Sequence, residues 1–178
     1  MKKFFKYNVG AAIGALVLII VLSVTVGVFR TVGSYKSRVE REFSSLSSGS
    51  AAEDLRSYET YAKKFSALAA SLGADTSALD RALSEYAYTT PFGGVRAELD
   101  AVSGEADAVY AAVNAMKEAD SDTVRSVVSY YYEMTSTVQR LQNNASYNNA
   151  AVKYNKAIST FPASVFAAGK KPAAVFDR

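Results

Sequence analysis

The chain has 178 residues, of which 49% are hydrophobic and 21% charged, and its net charge is +3. That length holds one membrane span and one modest domain. So small a charge, with no dense basic stripe interleaved with aromatics, excludes nucleic acid as the expected partner. The chain has no His, Cys or Trp. A disulfide framework, a thiolate nucleophile and Cys-ligated metal are thereby excluded, as are serine–histidine and cysteine–histidine catalysis. The commonest general base and transition-metal ligand is also missing. Only carboxylate chemistry survives, so no catalytic residue, metal, cofactor or small-molecule substrate is expected.

Residues 1–8 form a short basic flank, with Lys2, Lys3 and Lys6 among the aromatic Phe4, Phe5 and Tyr7. Residues 9–29 carry no charge. Within 11–28 the aliphatic residues are interrupted only by Gly14, Ser23, Thr25 and Gly27. At ~1.5 Å per residue such a helix spans about 30 Å, the hydrocarbon thickness of a bilayer. The run is longer than the apolar core of a cleaved signal peptide, and no A-x-A pattern follows it. It is therefore expected to be an uncleaved transmembrane helix rather than a leader or a buried core helix. Lys2, Lys3 and Lys6 on one flank balance Arg30, Lys36, Arg38 and Arg41 on the other, leaving both orientations open. Gly10 and Gly14 form a small-xxx-small pair, which can let two spans approach closely.

Residues 30–161 read as a helical domain. Val32, Tyr35, Val39, Phe43 and Leu46 recur at helical spacing, so the first helix is expected to continue beyond the apolar run. Residues 47–50 break it. Ser50 with Glu53 forms a capping box, opening a second helix over about 51–72 with a stripe of Leu55, Tyr58, Ala62, Phe65, Leu68 and Ala69. Gly73 is placed to end that helix in a left-handed conformation. Asp75 or Thr76 could cap a third helix carrying Leu79, Leu83 and Tyr86. Residues 89–94, with Pro91, Gly93 and Gly94, make a loop or sharp kink. The helical pattern resumes with Leu99, Val102, Ala106, Val109 and Val113.

Asp120, Ser121 and Asp122 form a capping cluster for the last helix, whose apolar face is Val124, Val127, Val128, Tyr131, Met134, Val138 and Leu141. At Gln142, Asn143 and Asn144 the register shifts. A new stripe of Tyr147, Ala151, Tyr154, Ile158 and Phe161 follows in heptad-like steps, and Pro162 ends it. No strand-like alternation appears. The expected fold is all-α: an N-terminal transmembrane helix continuing into an antiparallel four-helix bundle. In such a bundle the last helix returns toward the membrane. The tail, residues 162–178, would then lie near the bilayer with Phe166, Lys170, Lys171 and Phe176 as lipid-proximal candidates. Packing on the bundle end, or disorder, is the plainer alternative.

The C-terminal third carries Tyr147-Asn148, Ala151-Val152, Tyr154-Asn155, Ile158 and Phe161-Pro162, the pattern YN-x-x-A-V-x-x-YN-x-x-I-x-x-FP. Gly169, Lys170, Lys171, Pro172 and Phe176 follow. This stretch resembles the end of the LemA family of bacterial membrane proteins. Tyr35 with Val39, and Tyr61-Ala62-Lys63, add a thinner likeness upstream. The arginine-rich stretch and proline-asparagine-leucine-valine motif of many members are absent, and residues 47–52 stand in that region. Lys170 stands where a phenylalanine is usual. The resemblance implies a bacterial cytoplasmic (inner) membrane protein with one span and an antiparallel bundle, and a scaffolding role by analogy.

Tyr147, Tyr154 and Phe161, spaced seven apart, are expected to share a face. Asn148 and Asn155 beside them could fix register by hydrogen bonding across helices. The same face could instead dock an unidentified protein partner or a second copy. Tyr130, Tyr131 and Tyr132 cover most of a helix circumference, so at least one ring must leave the core. Among the acidic residues, Asp80 with Glu85, Glu98 with Glu105, and Asp120 with Asp122 are the carboxylate pairs, and solvated helix faces are their expected setting. The apolar run makes one prediction: the protein should stay with membranes through a carbonate wash, and its release would refute the anchor.

Overall fold

The computed structural model describes residues 2–44, 49–116 and 121–177, with side chains from Val9 onward except that of Ser121. The expected stripe position Leu46, the break at Ser47 and Ser48, and Asp120 lie outside the described residues, as do the side chains of Lys2, Phe4 and the rest of the basic flank. Every named element is helical: α1 (Lys2–Ser44), α2 (Ala51–Ser71), α3 (Ser77–Glu85), α4 (Val95–Ala115), α5 (Ser121–Asn143), α6 (Ala145–Ser159) and α7 (Ala163–Phe166).

The first helix does continue out of the apolar run. It has 43 residues, about 65 Å at 1.5 Å per residue. Its N-terminal half is long and apolar enough to cross a membrane, with a mean hydropathy of 2.8 and no part of that window buried against the rest of the chain. The C-terminal half changes character: Val32, Val39 and Phe43 are buried while Lys36, Arg38 and Arg41 face solvent.

Local chemistry sets the helix ends. Ser50 is the N-cap of α2 and accepts the Glu53 amide at 3.2 Å. The Glu53 carboxylate reaches back one residue further than a capping box requires, to the Gly49 amide at 3.1 Å. Gly73 adopts φ +86° just after α2, the conformation that glycine takes without penalty. Thr76 stands at the N-cap of α3 but spends its hydroxyl on Asp80, and Asp75 accepts the Ser77 amide instead.

The expected last helix is two helices. Asn144 alone separates α5 from α6; it leaves the helical region at ψ 77° and caps α6 by accepting the Tyr147 amide. This is the physical reason for the register shift at Gln142. One non-helical residue kinks the chain but cannot reverse it, so α6 runs on from α5. The Asn144 amide also donates to the Gly49 carbonyl, tying this kink to the α1–α2 junction.

The bundle is therefore built as two stacked antiparallel pairs. In the lower pair α6 descends along α1, with Phe43 against Tyr147 (ring centroids 5.8 Å) and Phe29 near Phe166 at the other end of the overlap. In the upper pair α5 runs against α2, with Tyr61 beside Tyr130 and Phe65 beside Tyr131. Arg140 donates to the buried Asp54 carboxylate at 2.9 Å where the two pairs meet. The expected return of the final helix along the first thus holds for α6. The α3–α4 hairpin covers the upper pair, and Leu79, Leu99, Val102, Ala106 and Val113 complete its core.

Two substitutions separate kinds of buried polar group. Arg140→Ala leaves the Asp54 carboxylate buried without its cation and should cost about 1–3 kcal/mol. Tyr86 is buried with a hydroxyl that has no partner among the described residues, so Tyr86→Phe should be neutral or stabilising by up to about 1 kcal/mol. Urea unfolding of the two variants beside the parent checks both.

Candidate functional site

The two groups of residues singled out in the sequence, the Tyr-Asn repeat and the tail, are partners of each other. After α7 the chain turns at Gly169 (φ +85°) and runs extended over residues 170–177 along α6. Pro172 favours this course, because it disfavours helix at Lys171 and cannot donate to one itself. An extended segment laid on helices leaves every backbone polar group in need of a partner, and α6 supplies several of them.

Asn155 grips Ala173 with both ends of its amide. Its Oδ1 accepts the Ala173 N–H and its Nδ2 donates to the Ala173 carbonyl, each at 2.8 Å. A primary amide carries the donor and acceptor of a peptide group, so it stands in for a neighbouring strand. One helical register earlier, the buried Asn148 accepts the Phe176 N–H at 2.9 Å and donates to the Leu141 carbonyl at 2.9 Å and the Gln142 carbonyl at 3.1 Å. The tyrosines supply donors. Tyr147 donates to the Ala174 carbonyl at 2.8 Å and Tyr154 to the Lys171 carbonyl at 3.3 Å.

The opposite edge of the tail is held by the 89–94 loop, which the sequence left between loop and kink. Its Phe92 forms an isolated antiparallel bridge with Ala173: Ala174 N–H donates to the Pro91 carbonyl at 2.8 Å and Gly93 N–H to the Pro172 carbonyl at 3.1 Å. Gly93 manages this at φ +106°, a conformation that L side chains rarely adopt. Arg96, at the start of α4, donates to the Phe176 carbonyl at 2.9 Å. Phe176 is 1% exposed and packs its ring 5.6 Å from that of Tyr147; Phe92 packs 5.3 Å from Tyr154 and takes the Lys36 ammonium over its ring, 5.6 Å from the centroid.

The placement of each expected residue follows. Tyr147, Asn148 and Tyr154 are buried and Asn155 half-buried, so the surface considered for an outside partner is covered by the chain's own tail. The asparagines act across to an extended segment rather than to another helix. Phe161 does not join the tyrosines: α6 stops at Ser159, and Phe161 is 80% exposed. Of the tail residues, Phe176 is core, Lys170 and Lys171 are exposed, and Phe166 lies by Phe29. Pro91, Gly93 and Arg96 belong to the clamp without having been singled out for it. Pro91 and Gly93 marked a break, but nothing in their spacing points to residues 172–174.

Burial pushes the Tyr147 phenol well above its ordinary range, and it raises Tyr154 less, with Lys36 pulling the other way. Both therefore remain hydrogen donors to the tail under ordinary conditions. A second tyrosine cluster lies where α4 meets α5 of the upper pair. Tyr110 and Tyr131 stack with centroids 3.9 Å apart and planes 6° from parallel, and Tyr132 meets both edge-on. Tyr131 donates to Asp107 at 2.7 Å, and this bond, with burial second, pushes its phenol up to about 12. Tyr132 is 60% exposed.

Of the carboxylate pairs, Asp120 lies outside the described residues, and the partners of the others are local. Asp80 accepts from Ser66 and Thr76, Glu85 pairs with Arg81, and Glu98 accepts the Ala87 amide at 2.8 Å. Among the described residues no three acidic side chains converge on one point where a cation could be held. Comparison of the chain with protein-family models, curated proteins and solved structures yields no match.

Asn148→Ala would strip the buried Phe176 amide of its partner, while the Leu141 carbonyl keeps the Asn144 amide. It should cost about 1–3 kcal/mol for the orphaned group. It should also expose the 170–177 segment to limited proteolysis before the bundle unfolds. Asn155→Ala, at a half-buried position where water can substitute, should cost less. A cleavage rate unchanged in Asn148→Ala would refute the clamp.

Proposed function

We propose that this chain is a non-enzymatic scaffold or adaptor of the LemA type, anchored in the bacterial cytoplasmic membrane by its first helix and acting through protein contacts. Three features support the reading. The apolar half of α1 is continuous with a helix that enters the bundle core, so an anchor there holds the folded domain directly rather than by a flexible leash. The Tyr-Asn repeat and the Gly-Lys-Lys-Pro tail, which carry the resemblance to the LemA family, form one connected hydrogen-bonded unit. The tail clamp reads as a structural signature, which leaves contact with partners to other surfaces.

The single observation that carries the protein-contact reading is the tyrosine ledge of Tyr110, Tyr131 and Tyr132. It lies where α4 meets α5 of the upper pair, beyond the far end of α1, with Tyr132 open to solvent. A partly open recess of about 250 Å³, lined by Tyr58, Ser103, Asp107, Tyr131, Met134 and Thr135, adjoins it. Tyrosine gives large contact area with few rotatable bonds and a polar tip, which is why it is enriched where proteins meet.

A photo-cross-linking amino acid at position 132, in the full chain in cells, should trap a discrete protein adduct, either a partner or a second copy. The same group at Arg56, exposed on α2, is the control. Adducts absent from both, or equal at both, would sink the reading.

A further inference from the structure

Outside the uncharged run, five large apolar side chains among the described residues are more than a third exposed: Tyr132, Val152, Phe161, Val165 and Phe166. Three of the five fall within six residues of one another, and they are not scattered over the molecule. Val165 and Phe166 lie in α7, the short turn of helix that follows α6, and Phe161 lies just before it. Soluble surfaces tolerate single exposed apolar residues, but a contiguous group marks a contact.

Where this group stands is fixed by packing. α6 descends along α1 until the two diverge, and α7 then lies against α1 itself. Ala163 is buried, together with Val32 on α1, and this holds α7 in place. The Phe166 ring lies 6.4 Å from that of Phe29. Phe29 is the last residue of the 9–29 run, immediately before Arg30, the first charge after it. If the run crosses a bilayer, Phe29 marks the boundary of the hydrocarbon on the side of the domain. Phe166 is then at the same depth, and Phe161 (80% exposed) and Val165 (63% exposed) flank it.

We propose that Phe161, Val165 and Phe166 form a second membrane contact: a hydrophobic foot that inserts into the interfacial layer of the same bilayer beside the first helix. The occupant of this surface is lipid, because Phe166 adjoins Phe29, the last residue of the exposed apolar run. The inference rests on the anchor reading. The basic residues Lys170 and Lys171 are not part of it, since the segment that carries them is fastened to α6. A single helix leaves an attached domain free to tilt and swivel, and a foot beside the exit point removes that freedom. The bundle then stands on the membrane in one attitude, with the tyrosine ledge held at a fixed height.

The chain has no tryptophan, so single introduced tryptophans report their surroundings without background. The full-length protein carrying Phe161→Trp, Val165→Trp, Ile19→Trp or Tyr132→Trp is reconstituted in phosphatidylcholine vesicles whose acyl chains are brominated near the headgroup or near the methyl end. Tryptophan at 161 and 165 should emit to the blue of that at 132. It should lose most of its intensity to bromine near the headgroup and little to bromine near the methyl end. Tryptophan at 19 should be quenched more by the deep bromines, and that at 132 by neither. Quenching at 19 with none at 161 and 165 would overturn the foot and leave the anchor standing. No quenching at 19 would overturn the anchor and the foot with it. Blue-shifted but unquenched emission at 161 and 165 would mean that protein covers this surface, and would also overturn the proposal.

Discussion

A polypeptide segment that is neither helix nor sheet must still satisfy its backbone, and in this protein that requirement organises the lower half of the fold. The 171–176 segment has helices on one side and a loop on the other, with no strand to pair with over its length. Asn148 and Asn155 supply on their side chains the groups a strand would supply on its backbone, and Tyr147, Tyr154 and Arg96 take the carbonyls that remain. The loop at Pro91–Gly93 takes the outer edge. Without this set the tail would bury unpaired amides, each at a cost of about 1–3 kcal/mol, and Phe176 would have no reason to enter the core.

The tail in turn joins elements that helix packing alone would leave apart. The α3–α4 loop belongs to the upper layer by sequence but is drawn down to α6 and α1, where Phe92 packs between Tyr154 and Lys36. The upper and lower helix pairs are thus fastened at two places: the Asn144–Gly49 bond at their junction, and the tail with its loop. The Asp54–Arg140 ion pair joins the two upper helices close to that junction. Apart from the Arg96 contact, the fastenings between the pairs are hydrogen bonds between uncharged groups, little affected by salt.

The lower pair is also where the domain meets the apolar half of α1. Core residues on α1 begin at Val32, three positions after the uncharged run ends. So short a spacing means that the bundle starts where the apolar run stops, and α7 packs on α1 near that level. The exposed apolar residues of α7 and the exposed tyrosines of the upper pair are then at opposite ends of the domain, one suited to lipid and the other to protein.

The sequence by itself determined most of the elements, though not the split between α5 and α6 or the short α7. An uncharged apolar run, stripes at steps of three and four, Ser50, Gly73 and the Pro91–Gly94 break locate the helices and most of their ends, because capping, periodicity and backbone restriction act over a few residues. It also marked Tyr147, Asn148, Tyr154 and Asn155 as a unit, since residues seven apart on a helix share a face. Only the tertiary structure decided what that face meets. The amides of Asn148 and Asn155 could serve a helix, an outside partner or a strand equally well, and the choice depends on residues 18 and 28 positions further along and on a loop more than 50 positions back. It decided also that Phe161 leaves the face, because Asn144 restarts the helix and α6 ends before reaching it. A hydrogen-bonding group advertises its capacity in the sequence, but its partner is set by how the whole chain closes on itself.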